Sequence, residues 1–256
     1  MASGTTIQPS RPSLTSNDSA VLQALFDAES SPSSAVTIDP SLSPFPEHLH
    51  ISASDHESLK ARELSIICNL QSDNVSVDTI TSATRDLDAL ITEHPTYPSA
   101  YVNRAQALRL HIEKTAETST DPDEAIFTPG NAESASRLFS DLGKAISLCT
   151  PRSPADPVST VQARILADSH THRGYLLLKA ARLKKNANGN EMAGGPDKLR
   201  DMGPDQLEEM ASRDFFFGGR YGNKVAQQLA VQTNPYAKMC GAIVKEALRK
   251  EVEGAI

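Results

Sequence analysis

Residues 211–240, ASRDFFFGGRYGNKVAQQLAVQTNPYAKMC, form the longest run in which helix signals and helix breaks follow one another without interruption. Ala211, Phe215 and Gly218 stand at i, i+4 and i+7, on one stripe of a helix, and small residues beside a large ring favour close helix packing. The glycines that follow predict a helix end, because glycine accepts the backbone angles of a C-terminal cap. Further helices are predicted to begin at two asparagine caps, Asn223 and Asn234. The stretch therefore predicts the end of a helical array.

The composition of the 256-residue chain narrows the class of protein further. With 39% hydrophobic residues and 16 prolines, one folded domain with long polar excursions is expected. A net charge of -7 argues against nucleic-acid binding, and no signal peptide or membrane-spanning apolar run is present. Three scattered cysteines, Cys68, Cys149 and Cys240, favour buried thiols in a reducing compartment. We therefore expect a cytoplasmic or nuclear protein that binds neither nucleic acid nor membrane.

The domain organisation follows from shifts in composition along the chain. Residues 1–53 are rich in serine and proline and are predicted to be largely disordered, apart from a short docking helix at 19–27. Residues 54–256 carry helix periodicity and are predicted to form the folded domain. Two polar segments, near 113–133 and 184–205, are predicted to be loop inserts within it.

Three pairs of helices are predicted in the folded domain. Ala83, Leu87 and Leu90, followed by Pro95, have the spacing of the second helix of a tetratricopeptide repeat, a helix-turn-helix unit of about 34 residues. Two further second helices of the same kind are predicted, one with Leu138, Leu142 and Ala145 at the same intervals and one at the opening stretch. First helices are predicted over 57–70, 98–110 and 158–183, with Leu59, Leu64, Ile67 and Leu70 facing inward on the first and Ala105 and Gly174 at the crossings of the others.

The predicted fold is therefore all-α: a short solenoid of about three tetratricopeptide-type pairs with long inserts. A charged and apolar helix after Pro235 is predicted to cap the array. The aromatic residues at 215–217 and 221 are predicted to be core.

Four segments resemble the tetratricopeptide repeat protein 36 family. These segments are AVLQALFD, AYVNRAQALRL, ASRDFFFGGRYG and QTNPYAKMC, in that order along the chain. The resemblance implies a non-enzymatic protein-binding scaffold or chaperone partner, and it implies a link to the handling of tyrosine-catabolic enzymes. The expected partner is a chaperone or a metabolic enzyme.

The predicted binding surface is the concave groove lined by the first helices of such an array. Its expected lining is Ile67, Asn103, Gln106, Arg109, His172 and Tyr175. Asn103 matches one asparagine of the clamp with which related repeats hold a C-terminal carboxylate, but Glu63 and Asp168 stand where that clamp has lysines. These acids would repel a carboxylate, so a different binding chemistry is expected. The inserts, or an N-terminal helix lying in the groove, remain alternatives for the contacts.

The rival prediction is an enzyme or metal protein using His170, His172 and the loop carboxylates Asp121, Asp123 and Glu124. Residues i and i+2 of a helix point in roughly opposite directions, which makes a shared metal between the two histidines improbable. No phosphate loop, Gly-x-Ser-x-Gly or cysteine nucleophile motif occurs. We therefore predict no catalytic set, no metal and no cofactor.

Overall fold

The structure is a computed structural model, and it describes residues 36–72, 74–116, 122–186, 192 and 194–234. The described part is all-α, as predicted, apart from one isolated bridge between Ile38 and Val158. Its helices of ten or more residues are α1 (Ala53–Ile67), α2 (Val77–Glu93), α3 (Pro98–Thr115), α4 (Ala132–Cys149), α5 (Thr160–Asn186), α6 (Pro204–Arg220) and α7 (Lys224–Thr233). None of the helices in these ranges combines the length and the apolar character needed to cross a membrane. The predicted helix at 19–27 and the capping helix after Pro235 lie outside the described residues.

Local sequence signals explain where several helices begin. Ser52 caps α1 in a reciprocal arrangement: its hydroxyl accepts from the Asp55 backbone N–H at 3.1 Å, and Asp55 accepts in return. The Ser76 hydroxyl accepts from the Thr79 N–H at the start of α2. Helices α3 and α6 instead begin with proline, which lacks the N–H that a first turn leaves unpaired.

The helix end and the helix cap predicted within residues 211–240 are present. Helix α6 ends at Arg220, and Gly222 takes a positive φ of 102°, which favours glycine. Asn223 then caps α7, its side chain accepting from the Ala226 N–H at 2.9 Å.

Each long helix packs on the next one along the chain. The contacts run from α2 to α3, α4, α5, α6 and α7 in turn, whereas α1 contacts α2 over a smaller surface. One hydrophobic cluster lies around Leu87, Leu90 and Tyr97, and a second lies around Leu142 and Phe215. The described part of the chain therefore has two hydrophobic clusters.

An arginine–aspartate pair joins α3 to α4, and a second one joins α5 to α6. Arg104 of α3 donates to both carboxylate oxygens of Asp141 in α4, at 2.8 and 2.6 Å. Arg173 of α5 does the same to Asp214 in α6, at 2.7 Å each. Each arginine precedes the small residue at a predicted crossing, and each aspartate precedes a fully buried core residue: Ala105, Gly174, Leu142 and Phe215. The two helical pairs are therefore joined in equivalent ways.

The two inserts are more closely attached to the body than their polar composition predicts. Ile126 and Phe127 are buried in the core, and Met192 joins the same cluster. A Cβ at Gly194 would lie 2.1 Å from the Thr128 carbonyl oxygen, so the two inserts approach each other closely. Short helices at Pro122–Ala125, Pro129–Asn131 and Asp197–Arg200 interrupt the two predicted loops.

Residues 36–52 also pack on the body, although the sequence places them in the N-terminal polar segment. Phe45 and Leu49 are buried, and the Phe45 ring meets the rings of His56 and Tyr97 edge to face. The Ser159 hydroxyl donates to the Pro44 carbonyl at 2.6 Å. Packing in this part of the chain therefore begins before residue 54.

Two predicted core positions lie at the surface instead. Leu64 of α1 is 50% exposed, because α1 buries the face that carries His56, Leu59 and Glu63. Phe216 is 48% exposed and lies beneath the Arg220 guanidinium, while its neighbour Phe215 is fully buried. The prediction of a core position is wrong for both Leu64 and Phe216.

Candidate functional site

A groove of about 780 Å³ is the candidate functional site. It is lined by all six residues that the sequence predicted for a binding surface: Ile67, Asn103, Gln106, Arg109, His172 and Tyr175. The structure therefore brings these residues together, whereas their role in binding stays a prediction.

Helical periodicity explains how residues far apart in sequence reach one groove. Asn103, Gln106 and Leu110 follow one face of α3, and Asp168 and His172 follow one face of α5, at intervals of three or four residues. The end of α1 supplies Ile67. Helix α7 supplies a further wall that the sequence analysis did not predict, through Asn223, Val225 and Leu229.

No local signal in the sequence marks this wall. Val225 is 59% exposed, but Val231 of the same short helix is 54% exposed and lies outside the groove. Only the position of Val225 in the fold therefore distinguishes it as part of the groove.

Asn103 is held in place by a buried carboxylate behind the groove. Its side-chain N–H donates to Glu63 at 2.7 Å, and the Tyr97 and Ser99 hydroxyls donate to the same carboxylate at 2.8 and 2.9 Å. Burial and the charge of Glu63 raise the pKa of Tyr97 far above its ordinary value. Glu63 is 5% exposed and does not line the groove, so the expectation that it repels ligands directly is replaced by a positioning role for it.

Arg109 and Tyr175 form a second polar region of the groove. Arg109 Nε donates to Glu113 at 2.6 Å, one turn along α3, and its guanidinium lies 5.5 Å from the centre of the Tyr175 ring. The Lys179 ammonium lies at the same distance from that ring. Two cations therefore lie within cation–π distance of the Tyr175 ring.

Asp168 and His172 form a third polar region, one turn apart on α5. Burial and the neighbouring Arg109 charge lower the pKa of His172 to about 4, so its ring is neutral at neutral pH. Its Nε2 atom is buried and has no hydrogen-bond partner among the described residues. The Asp168 side chain is exposed, yet the surrounding protein partly desolvates its carboxyl and raises its pKa, an effect that Arg164 opposes.

His170 does not line this groove and is buried in the core instead. Its Nδ1 atom is 2.8 Å from Asp214, and its ring stacks on Phe217 at 5.2 Å. His170 and His172 therefore have different surroundings, as their spacing predicts. In the part of the chain that the structure describes, no three His, Cys, Asp or Glu side chains are grouped as a metal site would require. Of the loop carboxylates, Glu124 is exposed and Asp121 lies outside the described residues.

Together these features define an all-α protein with a mixed polar and apolar groove between helices α1, α3, α5 and α7. The chain is 95% identical over all 256 residues, the full length of both chains, to the L-tyrosine degradation gene cluster protein hmgX of Aspergillus fumigatus. It belongs to the family of that protein. No family model matches the chain, and no solved structure matches it.

This relationship corrects the family assignment made from the sequence. The full-length relative is named as a tyrosine degradation cluster protein and not as a member of the tetratricopeptide repeat protein 36 family, so that assignment is wrong. It rested partly on the QTNPYAKMC ending, whose residues from Pro235 onward lie outside the described part. Short shared segments separated by long inserts are weak evidence of family membership.

Proposed function

We propose that this protein is a non-enzymatic binding protein whose groove receives a segment of a protein partner. The observation that carries the proposal is the convergence of Ile67, Asn103 and His172, from three helices, on one groove with the other predicted residues. A groove that combines apolar walls with a few fixed polar groups suits recognition of a partner segment. The absence of a recognisable catalytic motif in the sequence also supports a binding role.

The array that builds the groove is, in this proposal, a short solenoid of three helical pairs of the tetratricopeptide type. The pairs are α1 with α2, α3 with α4, and α5 with α6. Sequential packing and the recurring arginine–aspartate pairs support this arrangement. The first pair is the most divergent, since the large Ile66 stands where the other first helices have Ala105 and Gly174, and α1 has the smaller contact with α2.

The groove does not act as a carboxylate clamp in this proposal. A clamp would need the Asn103 amide to donate to the ligand, but one of its two N–H groups already donates to Glu63, which holds the amide in place. The charged groups that line the groove include the carboxylates of Glu113 and Asp168 beside a single arginine, Arg109. This balance disfavours an acidic chain end, and it therefore argues against a chaperone tail as the partner.

The partner that we propose is an enzyme of L-tyrosine degradation. The name of the hmgX relative associates that protein with an L-tyrosine degradation gene cluster, and its identity to this chain is 95%. A binding protein encoded beside catabolic enzymes has those enzymes as its natural candidates.

The experiment is affinity capture of the tagged full-length chain from cells growing on L-tyrosine, with quantitative mass spectrometry. Val225→Trp places a bulky ring in the groove, and Val231→Trp is its matched control. Both valines are more than half exposed on α7, at 59% and 54%, but only Val225 lines the groove. We expect a tyrosine-degradation enzyme to be captured by the wild type and by Val231→Trp, and to be lost with Val225→Trp.

Equal capture by both variants would overturn the groove as the binding site. A third variant, Glu124→Lys, tests contacts made through the first insert, because Glu124 is exposed there. It is preferable to deletion of the insert, since the buried Ile126 and Phe127 make deletion destabilising. Loss of capture with Glu124→Lys alone would move the binding surface to the insert.

A further inference from the structure

Asp168 and His172 offer the groove two hydrogen-bond acceptors on one helix face. They stand at i and i+4 of α5, which brings side chains within reach of one common ligand group. Both line the groove. A group that donates hydrogen bonds in two directions could therefore contact both residues at once.

Asp168 has a carboxylate available for a ligand. Among the described residues it makes no hydrogen bond or ion pair, and Arg164 acts on it only through its charge. Partial desolvation raises the pKa of this carboxyl, which also means that a cation beside it would gain more than it would in open water.

His172 has an acceptor atom without a donor. His172 lines the groove, and its Nε2 atom is buried and unpartnered within the described ranges. The ring is neutral at neutral pH, so in the tautomer with its proton on Nδ1, Nε2 accepts a hydrogen bond. Buried polar atoms are normally paired, so this atom lacks a donor that a ligand or an ordered water would supply.

The remaining groove lining is compatible with a cationic ligand group. The positive charge of Arg109 is countered by Glu113 at 2.6 Å. Ile67, Leu110 and Val225 add apolar surface that can cover the methylene groups of a long side chain.

We propose that the groove receives a lysine or arginine side chain of the partner segment, with Asp168 and the Nε2 atom of His172 accepting its hydrogen bonds. This inference rests on the proposed function, since it names the chemistry that the groove recognises. The apolar lining holds the stem of the side chain, and the carboxylate selects its charge. A partner segment of this kind is basic and apolar, in contrast to an acidic chaperone tail.

The test begins with a displayed library of random peptides selected on the purified full-length chain. Peptides that bind the wild type but not Val225→Trp are kept. For each of them the dissociation constant is measured beside a peptide with norleucine in place of its lysine, on the wild type and on Asp168→Asn, His172→Phe and Asp86→Asn. Asp86 is an exposed carboxylate of α2 outside the groove and controls for the general negative charge of the protein.

We expect the kept peptides to share a lysine or arginine, and norleucine to weaken wild-type binding about tenfold, as a partly desolvated charge pair would. The norleucine effect should fall to about twofold or less on Asp168→Asn and shrink on His172→Phe, while Asp86→Asn keeps it in full. Peptides that depend on the groove but lack a basic residue, or a norleucine effect unchanged on Asp168→Asn, would overturn this inference alone. A library without any groove-dependent peptide would instead contradict the proposed function.

Discussion

Gly174 provides the sharpest test of how helices α5 and α6 pack. A Cβ added at this position would lie 3.1 Å from three atoms: Asp214 Cβ and the Cδ1 and Cε1 atoms of the Phe215 ring. Phe215 is fully buried, and Asp214 is held by His170 and Arg173. Because neither neighbour can move away freely, Gly174→Ala should separate the two helices.

The magnitude follows from comparison with Gly143→Ala in α4. At Gly143 the nearest atom to an added Cβ is 3.9 Å away, an ordinary contact. Both substitutions gain about 1 kcal/mol of helix propensity, while overpacking costs Gly174→Ala roughly 1–3 kcal/mol. We therefore expect Gly143→Ala to stabilise the protein and Gly174→Ala to be about 1–3 kcal/mol less stable than Gly143→Ala.

Urea unfolding followed by circular dichroism measures this difference directly. The propensity gain is common to both variants and cancels, so the difference between their free energies of unfolding reports the close approach at Gly174. The slope of the transition should stay the same in both. Equal stability of the two variants would refute the packing of α5 on α6 described above.

Three further outcomes are expected. Phe215→Ala should lower the free energy of unfolding by about 3–5 kcal/mol, whereas Phe216→Ala should change it by about 0.5 kcal/mol or less in urea titrations, because Phe215 is buried and Phe216 half exposed. Burial alone would raise the pKa of Asp214, but hydrogen bonds from Arg173 and His170 hold it below 3.8. The ionised carboxylate therefore stabilises the fold above pH 3.8, and this stabilisation is lost as the pH falls further. Asp214→Asn should accordingly flatten the acid limb of a curve of stability against pH. Burial raises the pKa of Cys149 to about 12, so in peptide-resolved alkylation only the exposed Cys68 of this pair should react before unfolding.

Each of these outcomes has a clear opposite. Equal losses at Phe215 and Phe216 would place both rings in the core, as the sequence alone predicts. An acid limb that is as steep in Asp214→Asn as in the wild type would remove Asp214 from the acid response. Rapid native alkylation of Cys149 would contradict its burial between α4 and its neighbours.

The helices were predictable because their signals are local. The small and large residues of α6 repeat at fixed intervals, Gly222 and Asn223 mark a helix end and a cap, and Gly174 marks a close crossing. The predicted groove residues meet for the same reason, since helical spacing decides which side chains share a face.

The remaining features depend on contacts between distant residues. Phe45 stands alone in a serine- and proline-rich segment, and its burial depends on the rings of His56 and Tyr97. Ile126 and Phe127 are short apolar interruptions of a polar insert, without any period to place them. Glu63 looked like a groove charge because its tyrosine and asparagine partners are 34 and 40 residues away.

The central claim, that the groove holds a segment of an L-tyrosine degradation enzyme, is tested most directly by a photo-crosslink inside cells that are degrading L-tyrosine. Benzoylphenylalanine replaces Gln106, an exposed residue of the groove, and in a control replaces Lys144, an exposed residue of α4 outside it. We predict a covalent adduct between the Gln106 position and such an enzyme, with none from Lys144. No adduct from Gln106, or adducts from Lys144 alone, would contradict the account.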